Sequence, residues 1–236
     1  MIPKHKLLSD FNPGLTHPLY LIRNRLLKSL QLQIPKLKGK IMDFGCGIKP
    51  YEPLFVVDEY IGVDFIGEGQ TYAKTKVDVI YDGKTLPFPD EVFDSIFSTE
   101  VAEHIFNLED IIIELQRVLK KDGTILLTCP FTMPEHEAPN DFARYTSFAI
   151  GDILKRNGFE IIHYEKTGNF IEALFQLQII YWDQSILKIF RKIPVVRTVL
   201  RKGVYGLFNL TAVVCSKIFP INKGLYLNNV IMAKKL

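Results

Sequence analysis

The sequence predicts an α/β fold: a mostly parallel, doubly wound sheet with helices on both faces. Three observations predict it. Short apolar runs of strand length alternate with longer segments of helical periodicity, as in sheets assembled from crossover units. The first such run passes through an acid into two glycines spaced by one residue, "DFGCG", a strand ending in a turn tight enough to bring backbone close to a ligand. The polar residues of interest mostly fall at the carboxyl ends of the runs, where open α/β sheets bind ligands.

The elements follow in order. Residues 18–33 carry apolar side chains at helical spacing, and Pro18 suits a first helical turn. Residues 40–44 form a short buried strand. Residues 59–65 form a second strand ending in an acid, 76–81 a third and 92–98 a fourth. Residues 101–123 read as two helices broken near Asn107 and stopped by Gly123. Residues 124–130 are a fifth strand closed by Pro130. Residues 147–158 are a helix ending at Gly158, 159–166 a sixth strand and 225–236 a last strand. Residues 168–223, too long for a hairpin connection, read as helices on either side of Pro194. They form a basic, aromatic insertion within one domain spanning 1–236.

Composition narrows the function. The chain has 236 residues, 47% of them hydrophobic, enough for a sizeable core. Its first residues lack the apolar stretch of a signal peptide. Its three cysteines, Cys46, Cys129 and Cys215, form no CxxC pair, so a disulfide framework or cysteine zinc site is not expected and a cytoplasmic setting is. The net charge of +3 hides a split. Residues 1–183 hold 19 Lys+Arg against 26 Asp+Glu, whereas residues 184–236 hold 10 and no acid. Such a tail meets an anionic membrane at its inner face or pairs with the acidic body. Its longest uncharged stretch, 203–216, is too short to span a bilayer, which takes about 20 residues.

A Gly-x-Gly turn invites a dinucleotide reading, but the third glycine of G-x-G-x-x-G is Pro50 here, and no G-K-[ST] follows. Instead, "DFGCG", "YIGVD", "DGKTLPFPDEVFDSI" and "EVAEHI", in that order, resemble the class I S-adenosylmethionine-dependent methyltransferases of the type-11 branch, over roughly residues 38–166. The resemblance implies a seven-stranded Rossmann-like methyltransferase sheet, its last strand antiparallel beside the sixth, and S-adenosyl-L-methionine as cofactor. It implies that Asp43 and the backbone of Gly45, Cys46 and Gly47 hold the methionine portion, with a carboxylate for the ammonium. Cys46 itself reads as a small space-filler in that loop. Asp64 takes the ribose hydroxyls, Asp82 and Gly83 the adenine edge with Leu86 and Phe88 walling the purine, and Ser98 joins the cofactor set. An acid in such a turn is also a turn former, and "YDGK" reads equally as a β-turn.

The acceptor is expected beyond strands four and five. At helical spacing Glu100 and His104 share a face, for acceptor binding and catalysis or as a structural pair. The long polar loop after strand five holds His136, Asp141, Arg144 and Tyr145. His136 is the first choice of general base for a hydroxyl acceptor, and His104 the second. Asp141 and Arg144 either bind substrate or pin the loop, and Tyr145 either contacts substrate or packs. No metal site is expected from these spacings. "EHEAPNDFARYT" resembles relatives among bacterial cell-surface glycan enzymes, which implies a small or lipid-linked glycan acceptor. A quinone-like apolar acceptor, a non-catalytic scaffold and a homodimer stay open. A nucleic-acid acceptor is not expected, because "STEVAEHI" stands where [DNS]-P-P-[YFW] would.

Overall fold

The computed structural model describes residues 7–65 and 76–236; the first six residues of the segment read above as lacking a leader lie outside them. Seven strands form one sheet: β1 (Lys40–Phe44), β2 (Glu59–Phe65), β3 (Val79–Tyr81), β4 (Phe93–Thr99), β5 (Leu119–Pro130), β6 (Phe159–Lys166) and β7 (Asn228–Lys235). Their order is β3-β2-β1-β4-β5-β7-β6. Neighbours from β3 to β5 pair in parallel, while β7 inserts antiparallel between β5 and β6. The expected seven-stranded sheet is the one observed. The order reverses at β1, and on the carboxyl side of that point an α/β sheet leaves its crevice.

The helices are α1 (Tyr20–Gln33), α2 (Leu108–Val118), α3 (Ser147–Arg156), α4 (Phe170–Gln184) and α5 (Pro194–Ile218). Helices α2 and α3 cover one face of the sheet: Ile112, Leu115 and Leu154 pack with Met42, Phe93, Ile125 and Ile231. Helix α1 covers the other, with Leu26, Leu27 and Leu30 against Ile41, Phe97 and Met232. The apolar residues of β1 are buried on both faces, which is why Lys40–Phe44 reads as a nearly continuous apolar run.

The segment 101–123 departs from expectation. Glu100 adopts a left-handed backbone, φ 55°, and 102–104 form only a single 3₁₀ turn, so no helix starts before Leu108. The helix stops at Val118, five residues before Gly123, and the chain is already extended at Leu119, which pairs with Phe93. Leu119 is fully buried, and its apolar side chain is better placed on the sheet than at a solvated helix end. Asp122, φ 62°, makes the turn that Gly123 alone was expected to make.

Residues 168–223 hold α4, a 3₁₀ stretch over Ile186–Lys192 and α5. The inner face of this segment packs on α1 through Ala173, Ile179, Leu187, Tyr205 and Ala212 against Leu21 and Ile22. Polar ties fix this contact. Arg25 Nε bonds Glu172 at 2.9 Å, Gln176 bonds the Ile22 amide and the Pro18 carbonyl, and Asn209 donates to the carbonyls of Leu15 and His17. The basic residues are also partly answered by acids that precede the tail. Arg201 pairs with Asp183, Lys234 with Asp122 and Lys235 with Glu91. Lys188, Arg191, Lys192 and Lys202 stay exposed. Among the described residues no helix is long and apolar enough to cross a membrane.

Candidate active site

A cavity of about 390 Å³ opens at the switch point, between the β1 turn, the segments after β4 and β5, and the first turns of α1. That volume lies within the range of small-molecule sites. Of the residues expected to hold a cofactor, Asp43, Gly45, Cys46 and Gly47 line it.

Asp43 stands one residue before the end of β1 and is 2% exposed, and its described hydrogen bond is from the Tyr60 hydroxyl. Burial is the dominant cause that pushes this carboxyl up to about 7. A buried acid so placed favours a cationic guest, which restores the charge compensation that water gave it. Gly45, φ 73°, brings the turn against Val101, whose side chain a β-carbon at Gly45 would overlap. Gly47 has nothing within 4 Å of a β-carbon site, so there the backbone is open to the cavity. Cys46 is buried against Gly62, a space-filler as expected.

Asp64 sits one layer out, at the end of β2. It accepts from the Gly47 amide at 2.8 Å and from its neighbour Phe65 at 2.8 Å. One bond to each oxygen leaves each with a further lone pair. Asp64 thus both holds the glycine turn and retains capacity for two hydroxyls. Nothing in the local sequence announces the staple behind this turn. Lys49, left-handed at φ 52°, is buried and pairs with Asp78, which also accepts from the Gly62 amide at 2.7 Å.

Five of the other expected cofactor contacts are placed elsewhere. Asp82 is exposed and spends one oxygen on the amides of Lys84 and Thr85, both at 2.8 Å, so it forms the turn that "YDGK" allows; Gly83, φ 81°, supplies that turn's left-handed backbone. Neither lines the cavity. Leu86 is buried in the core and Phe88 packs edge-on against Phe93, 4.9 Å between centroids, so neither walls the cavity. Ser98 is buried within β4, and Thr99 lines the cavity instead, because neighbouring residues of a strand face opposite ways.

The end of the cavity away from the glycine turn, where the acceptor is expected, is built from two crossing loops. Glu100 and His104 are not on one helical face, since no helix exists there; both nevertheless reach the cavity. Glu100 accepts from Thr128 Oγ1 at 2.8 Å and Asn228 Nδ2 at 2.7 Å. Burial raises the carboxyls of both Glu100 and Glu103. His104 Nδ1 bonds the Asn140 carbonyl at 2.6 Å, and the amides of Phe142 and Ala143 bond the Glu103 carbonyl. These bonds tie the loop after β5 to the segment after β4. His136 consequently stacks edge-on against His104, with centroids 4.9 Å apart.

Asp141 and Arg144 pin the loop and do not line the cavity. Arg144 is bidentate to Asp141, at 2.6 and 2.7 Å, and its nitrogens also donate to the carbonyls of Met133, Pro134 and Ala143. The guanidinium holds the Asp141 carboxyl well below the usual range. Tyr145 packs against the core, its carbonyl accepting from Asn229. None of the three lines the cavity.

Sequence reasoning missed the wall from the N-terminal side. Ile22, Arg23 and Leu26 of α1 and Leu19 just before it, with Phe11 and Tyr51, close the cavity, and Arg23 lies 4.4 Å over the Phe11 ring. Helical periodicity marked α1 as amphipathic but did not say what it covers. It also missed Asn228. Its signal was present: two adjacent asparagines at the start of a strand, followed by four apolar residues.

Comparison with known proteins is consistent across methods. Residues 42–127 match the family model described as a methyltransferase domain. The uncharacterized methyltransferase YcgJ of Bacillus subtilis is 32% identical over 122 residues, 45% of this chain and 44% of that protein. Phosphoethanolamine N-methyltransferase 3 of Arabidopsis thaliana is 28% identical over 158 residues, 57% of this chain and 32% of that protein. The chain spans less than half the length of the curated relatives it matches. Among solved structures, a Haemonchus contortus phosphoethanolamine N-methyltransferase 2 in complex with S-adenosyl-L-methionine superposes with a TM-score of 0.53 at 16% identity, covering 100% of this chain and 60% of that one. The [4+2]-cyclase SpnF superposes with the same score and identity, covering 89% and 80%. At such identities the likeness is one of fold.

Proposed function

Given that the chain belongs to the class I S-adenosylmethionine-dependent methyltransferases, whose domain model its residues 42–127 match and whose fold it shares, we propose that it methylates a hydroxyl or amine of a small or lipid-linked glycan. The observation that carries the cofactor part is Asp43: a buried carboxyl beside an open Gly-x-Gly backbone, in the cavity at the switch point. In this reading Asp43 receives the ammonium, the turn from Gly45 to Gly47 receives the carboxylate end, and Asp64 receives the ribose diol. The methyl donor supplies an electrophilic carbon on sulfur. The chain's own residues hold it, exclude water through α1, and handle the acceptor's proton.

The polar acceptor end supports a hydroxyl or amine over a quinone-like ring. Glu100, Glu103, His104, His136 and Glu137 all line it, and such groups bind donors rather than apolar rings. His104 and His136 are the groups that we assign to the acceptor's proton, directly or by way of a cation that they hold.

Calorimetry tests the cofactor assignment. S-adenosylhomocysteine should bind and NADH should not; the reverse result discards the reading. Asp64→Ala should weaken S-adenosylhomocysteine on the order of tenfold to a hundredfold, the cost of hydrogen bonds to a charged acceptor. Because Asp64 also holds the Gly47 amide, part of that loss is a slackened turn.

The lipid-linked form of the acceptor rests on the outer face of the insertion. There Ile189, Val195, Val199, Leu207 and Ile218 are exposed among Lys188, Arg191, Lys192 and Lys202. Apolar and basic side chains interleaved on one helical surface suit an anionic membrane interface. Since Arg201 is committed to Asp183, the informative variant is Lys188, Arg191, Lys192 and Lys202 all to Gln. Wild type should sediment with anionic liposomes at low salt and the variant should not, with little change in melting temperature. If wild type shows no preference for anionic over neutral liposomes, the membrane reading fails.

A further inference from the structure

The groups at the acceptor end are arranged in a way that proton transfer alone does not explain. Glu103 is fully buried, yet neither carboxylate oxygen has a hydrogen-bond partner. An ionised carboxylate left so is costly, and a protonated one fares little better, since its O–H also finds no acceptor. A third arrangement satisfies it: a cation between its oxygens and the neighbouring imidazoles.

The imidazoles are set for this. The 2.6 Å bond from His104 Nδ1 to the Asn140 carbonyl puts the proton on Nδ1, so the neutral ring keeps its lone pair at Nε2, 3.7 Å from Glu103 Oε1. His136 Nδ1 lies 3.2 Å from the Pro134 carbonyl, 3.3 Å from Asp141 Oδ2 and 3.2 Å from Arg144 Nη2; in the tautomer that donates from Nδ1 to the carbonyl or the carboxylate, the lone pair is at Nε2. Carboxylate- or carbonyl-anchored imidazoles are the usual support of metal ligands. The Asp141–Arg144 staple then has a purpose beyond loop closure, because it fixes the His136 ring. One donor atom from each of Glu103, His104 and His136 lies within 4.8 Å of the other two. Donors on a common ion with bonds of about 2.1 Å stand roughly 3–3.5 Å apart, so binding requires the side chains to close by about 1 Å.

We propose that Glu103, His104 and His136 form a site for a divalent transition-metal ion at the acceptor end of the cavity. Two imidazoles and one carboxylate suit Zn²⁺ or Mn²⁺ and leave coordination positions open toward the cavity. The proposal deepens the methyl-transfer reading and rests on it for its chemical purpose. An acceptor hydroxyl bound at an open position loses its proton to solvent at the exposed Glu137 side. Its oxygen then attacks the donor's methyl carbon, the C–S bond breaks, and the electron pair stays on sulfur. The products are the methyl ether, S-adenosylhomocysteine and one proton.

The test needs neither methyl donor nor acceptor, so its failure leaves the methyl-transfer reading standing. The full chain, stripped with EDTA, is titrated with Zn²⁺ and with Mn²⁺ by calorimetry. One ion per chain should bind. Glu103→Gln and His104→Gln should each weaken binding by at least tenfold, and Asp141→Asn, which acts through the Arg144 staple and the loop that carries His136, by roughly tenfold to a hundredfold. Circular dichroism confirms that each variant is folded. Should Glu103→Gln fail to fold, His136→Gln, on the surface loop, carries the same expectation. Absence of binding of both ions to wild type overturns the proposal, as does binding of unchanged affinity and stoichiometry in the His104→Gln, His136→Gln double variant.

Discussion

His136→Ala should lower kcat by roughly 10²–10⁴-fold while leaving S-adenosylhomocysteine affinity within about twofold of wild type. The ring lies at the acceptor end, next to His104 and remote in the chain from the glycine turn that lines the other end. Its removal therefore takes away the chemistry on the acceptor's proton without touching Asp43, Gly45 or Gly47. The loss is expected whether the imidazole takes the proton or holds the cation, and the two are told apart by metal content: only the second predicts that the variant also loses its ion. A variant that retains wild-type kcat with a glycan acceptor ends the assignment of His136 to catalysis.

Asp43→Asn should have opposite effects on binding and stability. Removing one partner of a buried charge pair costs roughly 2–5 kcal/mol, so S-adenosylhomocysteine affinity should fall on the order of a hundredfold or more. The ligand-free protein should respond the other way. Burial raises the Asp43 carboxyl from 3.8 to about 7, so the folded state holds its proton more tightly than the unfolded chain does. The stabilisation from that proton is complete below the ordinary carboxyl range and is lost as pH rises toward and through 7. Ionisation thus costs the empty protein stability at pH 8, by at most about 4 kcal/mol. Asparagine has no such loss and can still accept the Tyr60 hydrogen bond. Thermal melts at pH 5 and pH 8 check the sign: the variant should gain on wild type as pH rises. With S-adenosylhomocysteine bound to wild type the difference should shrink, because the ammonium favours the ionised carboxyl. A variant destabilised equally at both pH values would show Asp43 to be a structural acid.

The sequence by itself determined the strand order's raw material and one end of the site. Period-two and period-3.6 patterns are local, so β1, β2, β4 and β6 were legible almost to the residue. The turn that lines the cavity was legible for the same reason: Asp43, Gly45, Cys46 and Gly47 lie within five consecutive residues, and the turn chemistry of "DFGCG" is local. Where a local signal had two meanings, the three-dimensional context chose. "YDGK" became a turn because the Asp82 oxygen reached the nearby Lys84 and Thr85 amides. Residues 100–104 did not become helix because Glu100 turned left-handed to meet Thr128 and Asn228 from two other strands.

Only the tertiary structure decided the acceptor end. Glu103 and His136 are 33 positions apart, and nothing in their spacing announces that a carbonyl at Asn140 and an Asp141–Arg144 staple bring them to one cavity. The wall from α1, the Glu172 and Gln176 ties that seat the insertion on it, and the orphaned carboxylate of Glu103 are likewise products of long-range contact. Spacing reports which residues share a face of one element. It carries no information on which faces of different elements meet, because that is fixed by the burial of apolar surface over the whole chain.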